Sequence, residues 1–302
     1  MEFLPLSIAL SVWVNSITLP VITLLSSAYT KSIKPMIYYI SSIAMFKISL
    51  NTLWSNENHN NYFYNQCCKF YYTPTTNQEV IPQTKIIITT FPHGMFCIGY
   101  NASGGFKAGC NYYKAVSNIL MRLPILNVWL QKLNYTSIDK NNIIKIMEKG
   151  DNISILPGGF NELIILRKYQ YNIYIPTGFI ALACKYGYTI KPCLSLGENE
   201  TFSALSPPKF MWKYLFRLMK VVTLPLSIPY WLHRVPIVTL YGEPIECKPG
   251  DNVLEIREKL VNILTKLFDD NIVDYCNYRN SLKIQPIVNV NNYSINFYGQ
   301  TK

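Results

Sequence analysis

Two polar side chains stand directly after β-branched runs. Phe91-Pro92-His93-Gly94 follows KIIITT (Lys85 to Thr90), and Pro157-Gly158-Gly159-Phe160-Asn161-Glu162 follows NISIL (Asn152 to Leu156). An imidazole titrates near neutrality and is the side chain best suited to taking a proton at physiological pH. In open α/β sheets ligands bind outside the carboxyl ends of the strands, so His93 and Glu162 converge there if their two strands are neighbours. Gly94, Gly158 and Gly159 permit close backbone approach and can aim N–H groups at developing negative charge. A lone histidine is more often a satisfied structural residue, and it is the pairing of the two strand exits that points to chemistry.

The elements that must position these residues alternate between short apolar runs and helical patterns, which indicates an α/β fold with a central mixed sheet flanked by helices. Besides the two strands above, Tyr188 to Leu196 and Ile237 to Tyr241 read as strands, and a helix runs from Asp139 as N-cap to Gly150 as its stop. A last amphipathic helix starts near Asp251 or Asn252, with Val253, Ile256, Leu260, Ile263 and Leu267 on one face. Beyond about Tyr275 the Asn-rich tail shows little pattern.

The N-terminus reads differently. Phe3 to Thr30 is a run of 28 residues without a charge, longer than the roughly 20 needed to cross a bilayer as a helix. Lys31 and Lys34 follow, then a second apolar stretch from Pro35 to about Trp54. A hydrophobic membrane hairpin is the simplest reading. A cleaved signal peptide would need a basic start and a shorter apolar core, whereas Glu2 opens this run. A buried hydrophobic hairpin packed on the domain is the other alternative.

Composition narrows the class. The 302 residues are 49% hydrophobic and only 15% charged, with a net charge of +11, which excludes a disordered chain and favours an anionic partner such as a membrane surface, a nucleic acid or a polyanionic cosubstrate. Eight cysteines are scattered without a C-x-x-C, and only three histidines are present, so reduced thiols and no metal site are expected. From Ser206 to Lys220, Lys209, Lys213, Arg217 and Lys220 form a basic stripe interleaved with apolar residues. That is the composition of a helix lying on an anionic membrane, and equally of a core helix with solvated lysines.

FPHGMFCIG (91 to 99), LPGGFNE (156 to 162), GFIALACKYGYTIKPCLSLGENETF (178 to 202) and YGEPI (241 to 245) together resemble the diacylglycerol acyltransferase type 2 family, which includes monoacylglycerol and wax-alcohol acyltransferases and is related to the wider glycerolipid acyltransferases. The resemblance runs from about residue 65 to 275 with its motifs in family order. It implies that His93 is the catalytic residue, Glu162 the acid of the second motif, and Gly197-Glu198 the end of a third. Pro92, Asn161, Gly178, Phe179 and Glu198 are then candidates for substrate contact. The implied chemistry is removal of the acceptor hydroxyl proton by His93 as oxygen attacks a thioester. There is no G-x-S-x-G elbow and no cysteine beside a histidine in a recognisable motif, so a direct ternary mechanism without acyl-enzyme is expected. Gly94, Gly158 or Gly159 would stabilise the oxyanion, with Glu162 orienting His93 or the acceptor.

The chain departs from the family at four places. Phe91 stands where many members carry His or Tyr, Ile138 where Arg is frequent, Pro176-Thr177 where Arg-Lys is usual, and Leu196 where an aromatic is usual. Loss of the first cation favours a neutral acceptor. Loss of the second leaves the CoA phosphates to substitutes such as Arg167, Lys168, Lys185 and Lys191.

The expected division is an anchor hairpin over 1–54, a linker over 55–84, one catalytic domain over 85–275 and a tail over 276–302. The expected function is a membrane-bound O-acyltransferase taking acyl-CoA as cosubstrate, with no cofactor and no metal, and diacylglycerol as acceptor to give triacylglycerol. Monoacylglycerol and wax-alcohol acyl transfer are alternatives, as is a noncatalytic lipid-binding protein of the same fold. Acyl-CoA, a lipid alcohol, the lipid bilayer and a further copy of the chain are the expected partners. No nucleic-acid motif is present. The expected location is the endoplasmic reticulum membrane with the catalytic domain in the cytosol, and also the lipid droplet. Glycans at the sequons Asn152 and Asn199 would be sterically hostile to the adjacent strands.

Overall fold

A computed structural model describes residues 19–53, 84–95, 97–102, 112–132, 134–205 and 228–299. Residues 19–30 are helical, followed by α1 (Lys34–Leu53). The domain then runs β1 (Ile86–Phe91), α2 (Ile98–Ala102), β2 (Tyr112–Val116), α3 (Pro124–Lys132), β3 (Tyr135–Ser137), α4 (Lys140–Lys149), β4 (Asn152–Ile155), α5 (Gly159–Ile164) and β5 (Gln170–Tyr174). It continues through α6 (Gly178–Tyr186), β6 (Thr189–Leu196), a 3-10 turn (Glu198–Glu200), β7 (Phe202–Leu205), β8 (Ile228–Leu232), β9 (Val238–Tyr241), β10 (Ile245–Glu246), α7 (Val253–Ser281) and β11 (Ser294–Tyr298).

The central sheet is seven-stranded and mixed, in the order β10-β6-β1-β4-β2-β3, with β9 also paired to β6. Strands β6, β1, β4, β2 and β3 are parallel, and β9 and β10 lie antiparallel on β6. Strand β1 is buried at all its positions because both faces are covered. Ile87 joins the core made with α4, α6 and α7, while Ile86 and Ile88 face a second cluster with Tyr112 and Cys193. Tyr100, Leu126, Leu130 and Tyr135 form a third, under α2 and α3.

Left-handed glycines end two of the covering helices. Gly150 (φ 79°) closes α4 and Gly187 (φ 64°) closes α6, each donating its N–H to carbonyls of the last turn. At α7 the Asn252 side chain accepts the Leu254 N–H at 3.0 Å. The buried face of α7 is Ile256, Leu260, Leu264, Phe268, Ile272, Tyr275, Cys276 and Arg279. Leu264 and Phe268 thus lie in the core, and Val253, Ile263 and Leu267 pack at its rim, because a straight helix drifts relative to a strict three-to-four stripe. The residues that show little pattern in the sequence continue α7 to Ser281 and then supply β11, which pairs in parallel with β5.

At the N-terminus α1 packs on α3, yet Leu25 (65% exposed), Tyr29 (91%), Ile33 (67%), Tyr38 (70%) and Ile40 (60%) project outward. Among the described residues no helix is long and apolar enough to cross a membrane. Residues 1–18 of the expected hairpin, most of the linker, and the stripe of Lys209, Lys213, Arg217 and Lys220 lie outside the described residues.

Candidate active site

Strand β1 pairs with β4 on one side and β6 on the other, all parallel. The condition left open by the sequence is therefore met: the exits of β1, β4 and β6 open on the same edge of the sheet, carrying His93, the Gly158-Gly159 turn with α5, and Gly197-Glu198. This is the crevice position for a ligand in such a sheet.

Half-buried His93 has its Nδ1 2.8 Å from Gly94 O. A carbonyl only accepts, so the contact assigns the proton to Nδ1 and leaves Nε2 as the ring's acceptor. Burial lowers the imidazole pKa, partly offset by that Gly94 bond. The net lowering suits a base that is neutral at pH 7 and takes a proton at Nε2.

Glu162, 2% exposed, reaches the same loop through the backbone. Its Oε2 accepts the His93 N–H at 2.5 Å and its Oε1 the Tyr174 N–H at 2.9 Å. The carboxylate thus holds the main chain of His93 against the end of β5 rather than touching the ring. Burial pushes its pKa up to about 8 against the opposing pull of the two N–H bonds. Gly158 makes room for it, since a Cβ there would be driven into the Glu162 carboxyl. Gly158→Ala is accordingly expected to displace Glu162 and lower turnover at least tenfold, whereas Gly159→Ala, whose Cβ would meet open space but whose φ is +47°, should cost less. Initial rates of the two variants in one acyl-transfer assay check the order.

Glu198 is 1% exposed, with Oε1 accepting the Ile98 N–H at 3.0 Å and Oε2 the Gly99 N–H at 2.5 Å. Both oxygens of this substrate-contact candidate thus accept main-chain N–H groups of the segment after β1. Burial raises its pKa to about 7 against those bonds. The Gly94 Cα faces this side chain, so of the three candidate oxyanion glycines Gly94 and Gly158 have their Cα packed on carboxylates and Gly159 faces open space. Pro92 is buried, Asn161 half-buried and Gly178 exposed at the start of α6, with Phe179 packed partly into the core.

One neighbour of the ring went unrecognised in the sequence. Cys97 Sγ lies 3.5 Å from His93 Nδ1 and 3.6 Å from Nε2. With Nδ1 committed to Gly94 O, the ring nitrogen left to accept from this thiol is Nε2. Burial, with further contributions from Glu198 and Glu162, pushes the Cys97 thiol well up, which keeps it protonated. Its only sequence signal is the four-residue offset from His93.

Of the four cations proposed for CoA phosphates, Lys185 sits in the last turn of α6, and Lys191 pairs with Ile88 before the strand exits. Both lie away from the crevice edge. The turn with exposed Arg167 and Lys168 adjoins it, because Asn199 Nδ2 donates to Gln170 O at 2.7 Å.

Residues 36–283 match the family described as diacylglycerol acyltransferase. The chain is 26% identical over 226 residues to 2-acylglycerol O-acyltransferase 1 of Bos taurus, covering 64% of this chain and 67% of that protein. It is 24% identical to diacylglycerol O-acyltransferase 1 of Schizosaccharomyces pombe (63% and 64%) and 27% identical to diacylglycerol O-acyltransferase 2 of Dictyostelium discoideum (64% and 68%). The chain thus spans about two thirds of the length of these relatives. Among solved structures, the 1-acyl-sn-glycerophosphate acyltransferase PlsC of Thermotoga maritima overlaps with a TM-score of 0.44 at 14% identity, over 83% of this chain and 97% of that one.

Proposed function

We propose, from the premise that this chain belongs to the diacylglycerol acyltransferase family, that it transfers a fatty acyl group from acyl-CoA to a neutral lipid alcohol, diacylglycerol foremost, with His93 as general base. The observation that carries this reading is the imidazole at the exit of the central strand, with Nδ1 committed to Gly94 O so that Nε2 is the nitrogen that can take a proton. Nε2 takes the hydroxyl proton as the acceptor oxygen attacks the thioester carbonyl, and the collapsing intermediate expels CoA thiolate, which recovers the proton. The raised thiol pKa of Cys97 favours direct transfer over an acyl-enzyme. Glu162 is a positioning residue, and backbone near Gly159 is the open position for the oxyanion. No cofactor enters the scheme.

The exposed apolar side chains of residues 19–30 and α1 support docking on a bilayer, since soluble chains seldom expose contiguous apolar surface of this extent. A water-insoluble acceptor would then reach the crevice from the membrane. We place the domain on the cytosolic side of the endoplasmic reticulum, with the lipid droplet as a second location. Asn152 (9% exposed) and Asn199 (5%) sit within the fold, where a glycan could not be accommodated.

Membranes containing the full chain, given labelled acyl-CoA and in turn diacylglycerol, monoacylglycerol, a long-chain alcohol and a lysophospholipid, test the reading. Triacylglycerol is the expected dominant product. A dominant product from lysophospholipid would overturn the neutral acceptor, and no product from any of the four would overturn the enzyme.

A further inference from the structure

We infer that Glu198 is a positioning residue for the proposed reaction: by binding the Ile98 and Gly99 N–H groups and packing under Gly94 it holds Cys97 in the backbone conformation that sets its sulfur against the His93 imidazole. The inference rests on the reading of His93 as base and deepens it.

Two residues of this loop have left-handed backbone, Gly94 at φ 63° and Cys97 at φ 54°. Glycine adopts that conformation freely, whereas a cysteine there is uncommon and needs its surroundings to hold it. Immediately after Cys97 the chain enters α2, whose first N–H groups have no partner within the helix. The Glu198 carboxylate supplies that partner, one oxygen to Ile98 and the other to Gly99. The same side chain fills the space beneath the Gly94 Cα, where a Cβ would collide with it, so it touches the loop at both ends.

Glu198 is itself held to the core. Gly197 donates its N–H to the Tyr171 hydroxyl at 2.8 Å, and Thr201 Oγ1 donates to Glu198 O at 2.8 Å. A Cβ on Gly197 would strike Pro236 O. The carboxylate is therefore a fixed post on the end of β6, from which the loop after β1 is hung. What the loop delivers is a sulfur 3.5 Å from Nδ1 and 3.6 Å from Nε2 of a ring whose Nδ1 also meets the adjacent Gly94 carbonyl. Without that contact the ring is free to leave its rotamer.

The test uses the full chain in membranes. In Glu198→Gln one oxygen is replaced by an amide that repels the N–H it faces. The kcat for acyl transfer is expected to fall at least tenfold with KM for acyl-CoA and acceptor within twofold, and alkylation of Cys97 by N-ethylmaleimide, read on its peptide by mass spectrometry, to quicken at least tenfold. Both changes are required; a variant showing only one of them, or neither, overturns the inference. Cys97→Ala removes the sulfur and leaves Glu198 in place, so it decides the matter should Glu198→Gln fail to accumulate. A threefold or larger loss of kcat at unchanged KM supports the role, and a wild-type kcat overturns it. If the wild-type chain shows no acyl transfer at all, the functional reading fails, and the alkylation rates still decide whether Glu198 holds the loop.

Discussion

His93→Ala is expected to lower turnover by at least about a hundredfold, the lower end of what a general base contributes, while the protein still sediments with membranes. The first expectation follows from the geometry at the exit of β1. Nδ1 is committed to Gly94 O, and none of the carboxylates of the site reaches the ring: Glu162 and Glu198 have their oxygens on backbone N–H groups. Neither carboxylate is therefore placed to take over the proton. The second follows because the exposed apolar side chains lie on residues 19–30 and α1, which belong to a different part of the chain. The pH dependence provides an independent check. Burial lowers the His93 pKa below its ordinary 6.5. The base is competent when neutral, so kcat/KM should hold as pH falls to 6.5 and decline only below it. A His93→Ala enzyme with more than a tenth of wild-type turnover, or an acid limb centred above pH 6.5, would remove the imidazole from the mechanism.

The parts of the site legible in the sequence are those whose physics is local. KIIITT and NISIL stand out because a parallel strand covered on both faces is an unbroken apolar run, and the residues that follow such strands necessarily share one edge. What each carboxylate touches was not legible. Glu162 meets the His93 loop as the motif order suggests, yet its partners are the N–H groups of His93 and Tyr174; main-chain donors leave no trace in residue types. Tyr174 itself closes β5, whose QYNIY carries a buried Asn172 satisfied by Ile165 O at 2.7 Å, so it reads as polar coil. Strand β2 is disguised in the same way by Lys114, 1% exposed, with its nitrogen 5.2 Å from the Tyr135 ring centre and its pKa lowered by burial to about 7. Strand β11 is invisible for a third reason. SINFY pairs with β5 more than a hundred residues earlier, and no local pattern encodes a partner at that distance.

The same distance argument bears on Arg279, which is expected to be among the most costly single residues to truncate. It lies near the end of α7, 1% exposed, and its Nε donates to Glu200 Oε2 at 2.6 Å, Glu200 being fully buried. The other oxygen, Oε1, accepts the hydroxyls of Tyr275 at 3.0 Å and Tyr293 at 2.9 Å, and Arg279 Nη1 donates to Pro286 O at 2.9 Å. One ion pair therefore ties α7 and the segment after it to the turn that follows β6. Replacing a buried pair by apolar groups can be nearly neutral, but removing one partner strands the other charge in the core at a cost of about 3–5 kcal/mol. Arg279→Met and Glu200→Gln should each destabilise the detergent-solubilised protein by about that amount in denaturant unfolding, and the double variant by clearly less than the sum. Since Glu200 shares its 3-10 turn with Glu198, both single variants should also reduce turnover, because movement of that turn carries the post that holds the His93 loop. Additive losses in the double variant would show the two residues to act independently and would cut the link between the C-terminal segment and the crevice.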